Sequence, residues 1–229
     1  MRKFYFRVYK YFQEVYFLRK MFGVIKILSY LCITEFEIRA TMRIYTKADC
    51  MLAFDCNQIT NNDFVYFWKH DEEPGKVTKA CFSQWYPSCF VVDGVAYNCA
   101  EQYMMAEKAL FFDDEEIWKK IISASNPEKI KKLGREVRNF DAERWDKASE
   151  DVVLKGNLHK FGQNKELLDF LLSTERKTLV EASPYDRIWG IGMSEATAKR
   201  YGYPHVWKGE NKLGFILMGV REILRNNNY

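Results

Sequence analysis

The alternation of apolar and polar positions predicts few strands and many helices. Residues 64–68 and 90–97 are rich in β-branched and aromatic residues, and Asp93-Gly94 divides the second run as a hairpin turn does. From residue 98 onward, apolar residues recur at helical spacing instead. Because strands and helices do not alternate along the chain, the pattern favours an α+β fold over a doubly wound sheet.

The spacing and the capping residues predict where the helices begin and end. Helices are expected over residues 98–111, with Asn98 as the cap, and over 114–124, 126–134, 141–159, 164–173 and 213–225. Gly134 is expected to end the third of these helices. The stretch 174–212 is predicted to be irregular. We therefore expect a predominantly helical single α+β domain with a small β-hairpin or sheet.

The basic charge of the chain is concentrated near its N-terminus. Residues 1–41 carry a net charge of +5 and residues 42–229 carry −1, so the main body lacks the basic surface expected of a nucleic-acid-binding protein. We take residues 1–60 as an N-terminal extension of unknown role and residues 61–227 as the folded domain. Either Met42 is the true start, or the extension binds a membrane surface or a partner; weak amphipathic patterning favours the first.

Composition excludes several classes of protein. Apolar residues make up 48% and charged residues 29%, which is a globular balance. The cysteines form no C-x-x-C pair and the histidines are far apart, so we expect free thiols and no metal site or other cofactor. The longest apolar run, residues 21–33, is too short to span a bilayer, and no cleavage site follows it. We expect a cytoplasmic protein that does not engage a membrane.

Glu101 is the first residue that invites a chemical interpretation. It lies three residues after Asn98, where a glutamate often completes a capping box, but a rigid carboxyl at a helix mouth is also suited to acid–base work. Glu101, Met105 and Lys108 share one helical face. Lys108 is either a solvated surface lysine, a phosphate ligand or a nucleophile that forms a Schiff base with an opened sugar.

Two further helical residues have both a structural and a functional interpretation. Arg135 follows a run of lysines that is typical of a solvated face, yet its planar fork is suited to clamping a phosphate. Trp145 is either a core residue or part of a site, and its helical spacing favours the core position.

The irregular stretch carries the least core-like sequences of the chain. In segment 179–192 polar residues and glycines surround Trp189, which is suited to stacking on a base, and Asp186 is suited to binding ribose hydroxyls or facing positive charge. The segment 209–214 contains Asn211 and runs into a helix N-terminus. It is either an anion site or an ordinary turn with a cap.

An ordered set of short motifs resembles the YbiA-like NADAR family. Each motif is weak alone, but their common order over about residues 64–225 is specific. The motifs are Phe82-Ser83-Gln84-Trp85, Asp93-Gly94, segment 100–109, Gly134-Arg135, Phe140-Asp141 with Trp145, segments 160–164, 172–174, 179–184, 186–192 and 209–214, Leu217-Met218 and Arg221.

The resemblance implies an α+β fold and an enzyme that cleaves N-glycosidic bonds. Members hydrolyse ribosylamino-pyrimidine phosphates, which are early riboflavin-pathway intermediates, and release ribose 5-phosphate. Other members remove ADP-ribose from guanine bases. We expect an N-glycosidase that acts on a small ribosylated heterocycle phosphate. ADP-ribosylated DNA is the alternative substrate, and a non-catalytic nucleotide-binding module is the second alternative. The sequence does not set the oligomeric state.

The resemblance also implies roles for single residues. It favours the functional interpretations of Glu101 and Trp145 over the structural ones. We expect Glu101, Asp186 and Lys108 to act in catalysis. The expected substrate-binding residues are Ser83, Trp85, Arg135, Trp145, Trp189 and Asn211. The chain departs from many members at Gln84, Gln102 and Glu175, where those members have Asn, His and Gly.

Overall fold

The computed structural model describes residues 45–71 and 75–227. The predicted α+β class, mostly helical with small sheets, is confirmed. The helices are α1 (Lys47–Asp55), α2 (Ala100–Phe111), α3 (Glu115–Ile122), α4 (Pro127–Arg135), α5 (Ala142–Gln163), α6 (Lys165–Ser173), α7 (Glu195–Tyr201) and α8 (Lys212–Asn227). The strands are β1 (Phe64–Phe67), β2 (Phe90–Val92), β3 (Val95–Tyr97) and β4 (Thr178–Glu181), and short 3₁₀ turns cover Asn61–Asp63, Lys79–Phe82 and Pro204–Val206.

Two small sheets have different origins. The predicted hairpin forms between β2 and β3, where Asp93 and Gly94 both adopt positive φ, at 50° and 85°, as a tight primed turn requires. The other sheet pairs β1 with β4 in parallel, with Phe67 opposite Glu181. We predicted an irregular chain over 174–212, and that prediction is wrong for β4 and α7. Because β4 is buried on both faces, it lacks the alternation by which a strand is recognised.

Residues 45–60 pack on the rest of the compact unit. The Lys47 ammonium donates to the Trp207 carbonyl at 2.6 Å, and the rings of Phe54 and Phe64 stack with centroids 6.4 Å apart. The described residues, 45–71 and 75–227, all belong to one compact unit. Our boundary at residue 61 therefore placed α1 in the extension, although α1 buries Cys50 against the core. Met42 and the apolar run 21–33 lie outside the described residues.

Helix α2 is the central element, packed against α3, α4 and α5. Two close approaches need glycine. A Cβ at Gly134 of α4 would overlap the Met105 thioether, and a Cβ at Gly156 of α5 would overlap the Tyr103 ring. Gly134 therefore lies inside α4 for packing. Our prediction that it ends the helix is wrong by one residue, since α4 continues to Arg135.

The start of α2 differs from the sequence prediction. The N-cap is Cys99, and the Asn98 side chain instead donates to the Ala124 carbonyl at 3.2 Å. The Asn98 backbone N–H donates to Gln102 Oε1 at 2.8 Å, so Gln102 makes the contact that a capping box would assign to Glu101. The capping role for Glu101 is therefore wrong.

Candidate active site

Three acidic side chains from separate parts of the chain influence one another electrostatically. Glu101 is the second residue of α2, Glu181 is the last residue of β4, and Asp186 lies in the loop that follows β4. Burial is the main cause that raises the pKa of both glutamates, and the negative charge of Asp186 adds to it in each. Burial and this repulsion disfavour the ionised form of the two glutamates, which is a common property of acid–base sites.

Glu101 also has neighbours that favour its ionised form. It is 6% exposed. Burial, the largest influence, raises the pKa of Glu101 above the ordinary value, while the positive charge of Lys131 and a hydrogen bond from the Trp85 side chain act in the opposite direction. Arg135 adds a smaller favourable charge. The Glu101 carboxyl is thus enclosed but has both a hydrogen-bond donor and cations within reach.

Glu181 has fewer such neighbours. Its Oε2 atom is buried and forms no hydrogen bond within the part of the chain that the structure describes. Burial, followed by the charges of Asp186 and Glu101, raises the pKa of Glu181 to about 8. Sequence reasoning included Glu181 in the segment 179–192 but gave it no role. The available signal was a glutamate that ends a run of buried apolar residues.

The backbone of Glu181 is fixed on both sides. Its N–H donates to Asn211 Oδ1 at 2.8 Å, and its carbonyl accepts from Ile191 N–H at 2.9 Å. A Cβ at Gly190 would lie 2.9 Å from the Glu181 carbonyl oxygen and 3.1 Å from Ser183 Cβ. Only glycine lets this loop pack directly on the end of β4.

Asp186 shapes the loop that carries Trp189. Its Oδ1 accepts from the backbone N–H groups of Ile188 at 2.9 Å and Trp189 at 2.8 Å. Across the described residues, Oδ2 of Asp186 accepts no hydrogen bond. One oxygen therefore holds the loop while the second stays available to a ligand. Trp189 is half-buried and packs against the hydrophobic core.

Trp85 is positioned by a short loop with a buried lysine beneath it. The Trp85 backbone N–H donates to Ser83 Oγ at 3.2 Å, and the Lys160 ammonium donates to the Ser83 carbonyl at 2.8 Å. Lys160 has no exposed surface, and burial lowers its pKa to about 8. Ser83 is itself 8% exposed, so its visible role is to hold the Trp85 loop. The predicted substrate contact of Ser83 has no further support in the geometry.

Helix α4 supplies the positive charges of the site. Lys131 Nζ lies 5.7 Å from the centroid of the Trp85 ring, and its charge acts on both Glu101 and Glu181. Arg135 follows one helical turn later and is exposed. Sequence reasoning singled out Arg135 but treated Lys131 only as a member of a solvated run. The position of Lys131 four residues before Arg135 was the available signal.

Lys108 lies further along α2 than Glu101, and Trp145, on α5, packs at the far end of α2. The Lys108 ammonium donates to the Gly134 carbonyl at 2.8 Å and lies 3.9 Å from the Phe140 ring centroid. Trp145 is 9% exposed and packs edge-on against Phe111, the last residue of α2. Ten residues of helix separate Phe111 from Glu101, or about 15 Å. The structure does not bring Lys108 or Trp145 to the carboxyls, and it favours the core interpretation of Trp145.

Asn211 is placed in the core as well. It has no exposed surface, and its Nδ2 donates to the Leu179 carbonyl at 2.9 Å while its Oδ1 accepts from Glu181. Both ends of the amide are therefore engaged by β4. Asn211 positions Glu181, and the geometry offers no surface through which it would contact substrate.

Two of the departures from the family pattern, Gln84 and Gln102, lie next to Glu101, but their side chains are engaged elsewhere. Gln102 is 2% exposed, and its Nε2 donates to the carbonyls of Ile121 and Ala124. The Gln84 side chain pairs with that of Asn157. Gln102 therefore ties α2 to the end of α3, which is a structural task.

The described residues contain no candidate metal site and no candidate membrane span. No cluster of three or more histidine, cysteine, aspartate or glutamate side chains in residues 45–71 and 75–227 is arranged to bind a metal ion. Within the same ranges, no helix has the length and apolar character to cross a membrane. The five cysteines in these ranges are free thiols, as predicted for them.

Comparison with known proteins assigns the chain to a family. Residues 66–225 match the NADAR domain, and the chain belongs to this family, as the motif resemblance implied. Over 164 residues it is 46% identical to an N-glycosidase of Acanthamoeba polyphaga mimivirus, covering 69% of this chain and 95% of the relative. The chain is an N-glycosidase, which confirms the predicted enzyme class.

Two further similarities bear on fold and substrate. The NMR structure of YbiA from Escherichia coli is 28% identical and superposes with a TM-score of 0.58, covering 72% of this chain and 86% of YbiA. It shares the α+β architecture. A riboflavin biosynthesis protein of Vibrio vulnificus is 30% identical over 176 residues, which are 77% of this chain and 42% of that protein.

Proposed function

We propose that this N-glycosidase hydrolyses ribosylamino-pyrimidine phosphates, the early riboflavin-pathway intermediates, and releases ribose 5-phosphate. The observation that carries the proposal is the placement of Glu101 between an indole donor, Trp85, and two cations of α4, Lys131 and Arg135. A flat ring is suited to stacking on an aromatic base, and a carboxyl is suited to stabilising a ribosyl carbon. Two positive charges are suited to binding a phosphate. The name of the Vibrio vulnificus relative supports the same substrate class.

Glu101 and Asp186 serve the ribose. Cleavage of a C–N glycosidic bond builds positive charge on the sugar, and a nearby carboxylate stabilises that charge. Glu101 stabilises the ribosyl cation and accepts a proton from the attacking water. Asp186, with Oδ1 already used by the loop, binds ribose hydroxyls through Oδ2.

The tryptophans and the α4 cations bind the two ends of the substrate. Trp85 and Trp189 stack against the pyrimidine. Lys131 and Arg135 bind the 5-phosphate, the arginine through its planar fork. Lys131 takes the place that we had predicted for Lys108, whose ammonium is held by the Gly134 carbonyl.

The substrate is tested by comparing two substrate classes in parallel assays. Purified protein is incubated with a ribosylamino-pyrimidine 5-phosphate and, in parallel, with guanine-ADP-ribosylated DNA, and the released sugar is measured by mass spectrometry. We expect release from the first. Release only from the DNA would refute the proposed substrate, and the net charge of −1 on residues 42–229 weighs against that outcome.

The role of Glu101 is tested by Glu101→Gln. Loss of acid–base function is expected to lower kcat at least about a hundredfold. Glu107→Gln is the matched control, because Glu107 lies on the same helix with a pKa that burial also raises, while its charged neighbours are Lys155 and Asp93. Turnover near the wild-type rate in Glu101→Gln would remove Glu101 from the chemistry.

A lysine nucleophile is the alternative route to the same products. In that route an amine attacks C1 of the opened ribose and forms a Schiff base. Lys131 is better placed for this than Lys108, because its charge acts on both glutamates. Borohydride added during turnover, followed by peptide mass spectrometry, distinguishes the routes. A ribosyl adduct on Lys131 would replace the activated-water route, whereas direct hydrolysis leaves both lysines unmodified.

A further inference from the structure

The Glu181 side chain ends in an oxygen that the fold leaves without a partner. Oε2 is buried and unpaired in the described part of the chain, although the Glu181 backbone is fixed by Asn211 and Ile191. A buried polar atom normally finds a hydrogen bond, and an exception calls for an explanation. The Glu181 backbone is rigidly placed, and its unpaired oxygen lies beside Glu101 and Asp186. This arrangement leaves the oxygen available to a ligand.

We infer that Glu181 is the proton donor to the leaving nitrogen of the heterocycle, acting opposite Glu101 at the same glycosidic bond. This inference rests on the proposed function and adds a second catalytic carboxyl to it. No role for Glu181 follows from its position in the sequence, because the residue ends a buried strand and its partners in the site come from α2, α4 and the following loop.

The surroundings of the two glutamates assign their roles. Glu101 has the Trp85 donor and the charges of Lys131 and Arg135, all of which favour a carboxylate. Glu181 faces Glu101 on α2, Asp186 on the loop and Lys131 on α4, so one cation opposes two negative groups. Of two carboxyls at one bond, the one with more stabilising partners for its charge is suited to act as the base and the one with fewer as the acid. Glu181 is the acid and Glu101 is the base.

The chemical step balances with water as the only co-reactant. The C1–N bond breaks and its electron pair goes to nitrogen, which takes the proton of the Glu181 carboxylic acid. Water adds its oxygen to C1 of the ribosyl cation and gives a proton to the Glu101 carboxylate. The products are the free amine of the heterocycle and the C1 hydroxyl of the ribose. Exchange with solvent returns the proton to Glu181 and removes it from Glu101.

The test compares Glu181→Gln with wild type on two leaving groups. With the ribosylamino-pyrimidine phosphate, whose nitrogen needs a proton, we expect kcat to fall at least about a hundredfold with little change in KM. With an N-ribosylpyridinium 5-phosphate, which leaves as a neutral base without a proton, we expect Glu181→Gln to keep most of the wild-type rate. Glu101→Gln is expected to lose activity on both substrates. Glu107→Gln is the control that should match wild type throughout.

A pH profile adds a measurement that a purely structural role would not change. Wild-type kcat/KM for the amine substrate should fall on the alkaline side as Glu181 ionises, and the residual rate of Glu181→Gln should lack that fall. A variant within tenfold of wild type on the amine substrate would overturn the inference and leave the proposed function intact. Equal losses on both leaving groups would also overturn the assignment of Glu181 as the acid. A wild type that releases sugar from no substrate would refute both.

Discussion

The close contact between α2 and α4 leads to a quantitative prediction at Gly134. These helices carry opposite sides of the site, with Glu101 on α2 and the cations Lys131 and Arg135 on α4. A Cβ added at Gly134 would overlap the Met105 sulfur and lie 2.8 Å from Met105 Cγ. Met105 is 8% exposed, so its side chain has little free space into which it can rotate.

The expected cost of Gly134→Ala follows from two opposing effects. Overpacking of a core costs about 1–3 kcal/mol. Alanine regains up to about 1 kcal/mol through helix propensity, because Gly134 does not need a positive φ. We expect a net loss of about 1–2 kcal/mol in the free energy of unfolding, or roughly 2–8 °C in Tm for a domain of this size. Activity should fall as well, because α4 must move away from Glu101.

Denaturant unfolding monitored by tryptophan fluorescence measures this loss, and two comparisons test its cause. Gly219→Ala, in α8, is the matched control, since a Cβ there meets nothing within 4 Å and the substitution should stabilise. In a Met105→Ala background, which removes the sulfur and Cγ, most of the cost of Gly134→Ala should disappear, and a double-mutant cycle reports this directly. If Gly134→Ala stabilised the protein as Gly219→Ala does, the packing argument would be refuted.

Three further predictions concern stability. Asn211→Ala should lower the free energy of unfolding by about 2–5 kcal/mol, because it leaves the Glu181 N–H and the Leu179 carbonyl unpaired in the core. A loss below about 0.5 kcal/mol in denaturant unfolding would contradict this prediction. The backbone φ of Glu175 is 50°, a value that favours glycine. Glu175→Gly should therefore be more stable than Glu175→Ala by up to about 1 kcal/mol, measured by Tm. An alanine variant of equal stability would show that the backbone at residue 175 is not strained. Burial raises the pKa of Glu181 to about 8 from 4.5, so the folded state holds an extra proton between these pH values, and stability should fall as pH rises through that window. Glu181→Gln should therefore gain stability over wild type between pH 5 and pH 8.5, and a constant difference would place the Glu181 pKa near its ordinary value.

Local sequence signals determined the elements that depend on neighbouring residues. The Asp93-Gly94 turn and the α+β class follow from turn chemistry and apolar spacing. So do two helices, predicted over residues 98–111 and 141–159, which form over 100–111 and 142–163. The ordered motifs also implied the family, which the comparisons confirm. These features are readable because a hairpin turn or an amphipathic helix is specified by residues a few positions apart.

Tertiary structure decided the elements and side chains whose partners are distant. Strand β4 forms against β1, with Phe67 opposite Glu181, and no local periodicity marks it. The packing of α4 against α2 favoured Lys131 over Lys108 as the phosphate-binding lysine. The contact of Trp145 on α5 with the far end of α2 separated Trp145 from Glu101. Glu181 became a candidate acid only when the fold had buried its Oε2 beside two other carboxyls. Sequence spacing identifies which residues share a helix or strand. The burial of a side chain, its protonation state and the groups that it contacts depend on the packing of elements that are far apart in the sequence.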